Sequence, residues 1–240
     1  MPFRINSGGA VLAAQRYLGK SQRNVQDSLQ KLASGSRTVS AGDDAAGFAI
    51  AETLEGQIRG LKQASLNSES AKAFIQTAEG GLNEQNNILI RLRELAVQSA
   101  SDTVGDEERA FIDKEFQQLV AEFDRIALST RFGNKQLLTG TGEEFEFHVG
   151  AGIGKENTIK FKLDANTSAS EIGIEGLEVV DQDDARAILE DIDTALLSIA
   201  DARSTFGAAQ SRFEFVIDNL AVQEQNLSEA KSIFSDVDVA

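Results

Sequence analysis

IDTALLSIADARSTFGAAQSRFEFVIDNLAVQEQNLSEAKSIFSDV (residues 192–237) has no proline and sets Ile192, Ile199, Phe206, Phe213, Leu220, Leu227 and Phe234 at steps of seven. A second row three residues on reads Ala195, Ala202, Ala209, Val216, Gln223, Ala230 and Val237. Large residues beside small ones, repeated every seven, make the seam of a coiled coil, with a left-handed supercoil expected from the 3.5-residue period. Asp181, Asp183 and Asp184 stand where a helix N-terminus favours acids, so the helix is expected over about 183–236.

A matching seam runs through Leu54, Leu61, Ser68, Ile75, Leu82, Leu89 and Ala96, beside Ala64, Ala71, Ala78, Gln85, Leu92 and Ser99. It predicts a helix over about 45–99, with a bend allowed at Gly80-Gly81, because each glycine costs a helix about 1 kcal/mol against alanine. Ile112, Phe116, Leu119, Phe123 and Ile126 predict a third helix over 106–129, and Val11, Leu18, Val25 and Leu32 a shorter one near the start. The polar run SGSRTVSAGDD (34–44) reads as a loop. In the middle the period changes to two. Phe145, Phe147 and Val149 alternate with Glu146 and His148, then Ile159, Phe161 and Leu163 with Lys160 and Lys162, predicting a hairpin laid on the helices within a region of about 137–180. The expected class is mainly α: an elongated antiparallel helical bundle or coiled-coil rod with a small β-hairpin region. A helix from 184 to 236 would run about 80 Å, against a diameter near 45 Å for a compact globule of this chain length, so a rod is expected.

Composition narrows the chemistry. The chain has 240 residues, one proline (Pro2), no cysteine, one histidine and one tyrosine (Tyr17). Without cysteine there are no disulfides, thiolate metal sites or cysteine nucleophile. The net charge of −15 repels phosphate and argues against nucleic acid as a partner. No apolar run approaches the ~18 residues of a membrane span, and the stretch between Arg4 and Arg16 holds no apolar block of signal-peptide length. GAGIGK (150–155) lacks the outer residues of a phosphate loop, with Val149 and Glu156 at the decisive places. His148 has no second histidine to join it, and the pairs Asp43-Asp44, Glu143-Glu144 and Asp183-Asp184 lack the calcium-loop spacing. G-x-S-x-G is absent. No enzyme site, metal or cofactor is expected; an assembly protein fits better.

The blocks GDDAAGFAIAE, QIRGLKQAS, QTAEGGLNE and RELAVQSA within residues 32–102 closely resemble the N-terminal core of bacterial flagellin. RSTFGAAQSRFEFVIDNLAVQEQNLSEAKSIFSDVDVA (203–240) is similar to the C-terminal core helix of the same family. The resemblance implies a self-assembling structural subunit of the flagellar filament, serving motility. It also implies export through the flagellar secretion machinery, folding under the filament cap and an extracellular location. Residues 1–44 would form an inner-tube helix and spoke loop, and 45–240 a rod-like core domain. The outer variable domains of larger relatives are reduced here to about 140–180. The metalloprotease insert of some relatives needs H-E-x-x-H, which this chain lacks.

Relatives continue past the Asp236-x-Asp238-x-Ala240 signature into a second inner-tube helix, expected to be missing from the chain as given. They often carry arginine where Ile233 stands. Without that partner the chain is expected to stay monomeric, to build no filament alone and to fray over residues 1 to about 34. The resemblance further implies contact with the host Toll-like flagellin receptor through Arg91, Glu94, Leu95 and Gln98, with Glu115 on the adjacent helix. Arg91, Leu95 and Gln98 are expected to share a face by i, i+4, i+7 spacing. A hook–filament junction protein shares both core ends but fits the spoke and RELAVQSA blocks less closely. A generic secreted coiled-coil binding protein would explain only the heptads.

Overall fold

The computed structural model of the chain describes residues 8–237, so Pro2, Arg4, Asp238 and Ala240 lie outside the described residues. The elements in order are α1 (Gly8–Ser34), α2 (Ala45–Ser99), α3 (Asp106–Ser129), β1 (Arg131–Phe132), β2 (Lys135–Gln136), β3 (Glu144–His148), β4 (Thr158–Lys162), α4 (Ala169–Ile172) and α5 (Gln182–Ser235). Helices dominate, and α2 runs unbroken through Gly80 and Gly81. The chain packs as two units, residues 63–221 and residues 1–62 with 222–240.

In the 63–221 unit the seams of α2 and α5 face each other. Ile75, Leu82, Leu89, Ile192, Ile199, Phe206, Phe213 and Leu220 are buried, and the small residues Ala71, Ala78, Ala96 and Ala195 are buried beside them. Lys72 pairs with Glu214 at 2.7 Å and Arg93 with Asp193 at 2.7 Å. Between those rungs α2 advances three heptads while α5 retreats three, which sets the helices antiparallel in heptad register. The third helix adds Ile112, Phe116, Val120, Phe123 and Ala127 to the core. Leu119 and Ile126, expected in that stripe, are only half-buried, because the 3.6-residue period carries the buried line through Val120 and Ala127 instead. Gly81 admits the chain that follows α3. A Cβ there would stand 2.6 Å from Thr130 Oγ1 and 2.8 Å from Leu138 Cδ1.

The strands β3 and β4 pair antiparallel, with Phe145 opposite Phe161 and Phe147 opposite Ile159. Their apolar face lies on the helices. Phe147 meets Phe213 edge-on at 5.5 Å, Phe145 packs against Phe74 at 4.9 Å, and Phe161 against Phe206 at 5.3 Å. The other face carries charge, with Lys160 paired to both Glu144 and Glu146. The segment beyond β4 is irregular but tied down. Gln85 donates to the carbonyls of Phe123 and Thr167, Ser99 to Val179, and Gln117 to Leu177, while Asp113 accepts from the Val179 amide. These side chains supply the backbone partners that a regular strand would otherwise supply.

In the other unit Glu55 and Lys231 pair at 2.7 Å, and Lys62 and Glu224 at 3.4 Å, again one heptad up against one heptad down. Leu61 is buried, but Leu54, Leu227 and Phe234 are only half-buried. The physical reason is that, among the described residues, no third element covers α2 and α5 here. The loop after α1 joins the end of α5 through a bridge between Ser36 and Asp236, with the Arg37 amide donating to Ser235 O and the Val237 amide to Gly35 O. Asp44 caps α2, accepting from the Gly47 amide at 3.0 Å.

Candidate functional site

Two surfaces stand out, one in each unit. The first is α1. Val11, Leu18, Val25 and Leu32 fall on one stripe and are 56–61% exposed, with Leu12 and Leu29 exposed beside them. A helix standing alone in water is marginal, since most helical stability comes from packing an apolar face. At its C-terminal end Lys31 pairs with Asp43 at 3.2 Å, and Asp43 also accepts from the Val39 and Ser40 amides, which holds the loop closed.

Nearby, the Lys231 ammonium and then the Arg59 guanidinium hold the Glu55 carboxyl at about 2, below its ordinary 4.5. A depressed carboxylate adds stability above its unfolded pKa and loses it as pH falls toward the folded one. The Glu55–Lys231 tie is therefore expected to weaken between about pH 4.5 and 2, and Glu55→Gln to make the acid-induced fall in melting temperature shallower. A thermal melt series over that window checks it; identical slopes for the two proteins would rule the tie out.

The second surface is the outer side of α2 near its end. Arg91 reaches Glu115 on α3 through Nε at 3.0 Å and Nη2 at 2.8 Å, and Glu94 through Nη1 at 2.9 Å. Glu115, then Glu94, raise the Arg91 pKa above its ordinary value, fixing a full positive charge between two carboxylates. Glu94 and Gln98 are exposed alongside. Leu95 is not. It is 1% exposed and belongs to the core with Leu92, Ala96 and Ser99. At 100° per residue Leu95 lies about 40° from Arg91 toward that buried stripe, while Gln98 lies about 20° the other way. The apolar part of the surface comes instead from Ile90 and Val97, which border a shallow groove with Arg93, Glu94 and Gln98. Past the end of α2 the buried Arg109 donates to the carbonyls of Ser99 and Ser101 and to Asp106, pinning the turn between α2 and α3. Nothing in its sequence neighbourhood marks Arg109 out, since its acceptors are mostly backbone.

His148 is exposed, and the GAGIGK loop leads through a single 3₁₀ turn (Lys155–Asn157) into β4 rather than into an α-helix. Among the described residues no group of three acidic or histidine side chains converges as a metal site, and no helix is long and apolar enough to cross a membrane.

Residues 5–143 match the family model of the bacterial flagellin N-terminal helical region, and residues 189–240 that of the C-terminal helical region. The chain belongs to the bacterial flagellin family. This flagellin is 40% identical to the flagellin of Halalkalibacterium halodurans, across 98% of this chain and 86% of that protein. It is 37% identical to a flagellar filament 30.7 kDa core protein of Treponema maltophilum, across 98% and 87%. Among solved structures, the Bacillus cereus flagellin crystal structure superposes with a TM-score of 0.58 at 28% identity, covering 69% of this chain and 94% of that one. This flagellin is a structural subunit of the flagellar filament, a helical protein with small antiparallel strand pairs that assembles with other flagellin subunits.

Proposed function

We propose that α1 is the assembly element of this subunit, packed inside the filament as the inner-tube helix, with 1–44 acting apart from a core of 45–240. The single observation that carries this is the unpartnered stripe Val11, Leu18, Val25 and Leu32. Burying each such side chain is worth about 1.5–3 kcal/mol. Four of them on one face give a subunit strong reason to associate. On this reading the protein works outside the cell, arrives through the flagellar export machinery, folds under the filament cap and carries no catalytic activity. Introduced into the flagellin as the cell encodes it, the double variant Leu18→Asp, Val25→Asp is expected to abolish filaments in cells that have no other flagellin, where the unchanged protein forms them. The melting temperature of the soluble subunit should stay within about 1 °C, because both positions are exposed before assembly. Normal filaments from the variant would sink the proposal.

A second role rests on the Arg91–Glu94–Glu115 cluster: recognition by the host Toll-like flagellin receptor. What supports it is an accessible arginine held between two carboxylates, with Gln98, Ile90 and Val97 around it. An arginine with adjacent apolar area is the usual composition of an interface anchor. Leu95 serves this surface from beneath, by fixing the helix that presents it.

A further inference from the structure

The charge of α1 is opposite in sign to that of the chain. The whole sequence carries −15, but α1 holds Arg16, Lys20, Arg23 and Lys31 against the single acid Asp27, four bases less one acid, or +3. Lys31 is taken up by Asp43 at 3.2 Å. Arg16, Lys20 and Arg23 are exposed, and among the described residues none of them has an ion-pair partner.

These bases are placed as well as counted. At about 100° per residue, Arg16, Lys20 and Arg23 fall within about 60° of one another, on the side opposite Val11, Leu18, Val25 and Leu32. Asp27 stands in the same arc and leaves it two positive charges to the good, with Lys31 at its edge. Tyr17 lies about 100° from Leu18, on the border between the two faces, and is 76% exposed. From Val11 to Leu29 no hydrogen bond or ion pair among the described residues joins α1 to another element.

Packing α1 against another helix would use the apolar stripe and leave the basic face idle. The boundary between lipid and water uses both. A helix is about 10 Å across and a headgroup layer about 5–8 Å deep. With the stripe at the acyl boundary, the opposite face therefore stands at the phosphates, where lysine and arginine reach outward. A tyrosine on the border sits at headgroup level, where such rings collect. The acids of the rest of the chain oppose this only weakly, because their field is screened within about 8 Å in physiological salt, whereas the 27 residues of α1 extend about 40 Å.

We infer that, in the free subunit, α1 binds the surface of an anionic bilayer, lying along it with Val11, Leu18, Val25 and Leu32 inward and Arg16, Lys20 and Arg23 on the lipid phosphates. The helix lies on the membrane and does not cross it. The inference rests on the reading of α1 as unpartnered before assembly, and it gives the same stripe a second occupant.

Tyr17 is the only tyrosine and the chain has no tryptophan, so its emission reports on α1 alone. Soluble subunits should float with vesicles of phosphatidylcholine mixed with phosphatidylglycerol and not with vesicles of phosphatidylcholine alone. On the mixed vesicles Tyr17 should become shielded from acrylamide, and raising the salt should reverse this. Arg16→Glu with Lys20→Glu should weaken vesicle binding about tenfold or more, while Arg16→Lys with Lys20→Arg should keep it. No flotation, equal flotation on both vesicles, or a charge reversal without effect would overturn the inference, and the assembly role of α1 would stand, since Leu18→Asp with Val25→Asp tests that in the filament. Shielding of Tyr17 by poly-glutamate but not by the mixed vesicles would also overturn it, and would assign the basic face to an acidic protein.

Discussion

Replacing Phe213 with alanine is expected to destabilise the 63–221 unit by about 3–5 kcal/mol, the usual range for truncating a fully buried phenylalanine. Phe213 is the point where the α2–α5 seam and the hairpin meet. Its ring is inaccessible to solvent and stands edge-on to Phe147 at 5.5 Å. The loss should therefore be felt twice, as a cavity in the seam and as weaker hold on β3. Denaturant unfolding followed by circular dichroism should show a lower midpoint, and hydrogen exchange should show faster opening of residues 144–148. An unchanged midpoint would mean that the seven-residue row does not hold the helices together.

Leu95→Ala is expected to cost about 2–5 kcal/mol for the same reason. Arg91→Ala, four residues away, should leave the melting temperature nearly unchanged, because its partners are exposed carboxylates. The contrast separates two roles that spacing alone merges. If receptor activation by soluble subunits falls for Arg91→Ala without any loss of stability, the cluster is a contact surface. If Leu95→Ala leaves stability untouched, its placement in the core is wrong. A receptor response unchanged by Arg91→Ala would remove the recognition role.

The difference between these residues shows how far the amino-acid pattern reaches. The long helices were legible because nothing breaks them: with proline confined to position 2, heptad rows could run on, and α2 and α3 span the residues their periodicity predicts. The hairpin was legible because two alternating runs flank a glycine-rich turn, and its register pairs the phenylalanines that the alternation put on one face. Period alone could not set the edge of the buried stripe. Arg91, Leu95 and Gln98 lie within one narrow arc, and whether Leu95 falls inside or outside the core depends on where α3 and α5 press on α2.

The small pair β1–β2 was not foreseen. Its strands are two residues long, too short for alternation to register, although Gly133 with φ +59° makes the turn that Gly-Asn favours. The short α4 escaped for the same reason. Arg109 reads as an ordinary polar residue and Gln85 only as a member of the second seam row, since their partners are mostly backbone carbonyls brought near by the fold. Half-burial of Leu54, Leu227 and Phe234 was equally invisible. The heptad row continues through them, while the elements that would cover it do not.

The candidate surfaces divide along the same line. The α1 stripe was readable from four residues at heptad spacing, and the structure adds that nothing among the described residues covers it.

Hydrogen exchange across residues 11–32, compared between soluble subunits and assembled filaments, tests the central claim most directly. A stripe that is exposed in the subunit and buried by assembly predicts rapid exchange of these amides in solution, with protection rising by several orders of magnitude in the filament, while residues 71–96 remain protected in both. Equal protection of residues 11–32 in the two states would contradict the account.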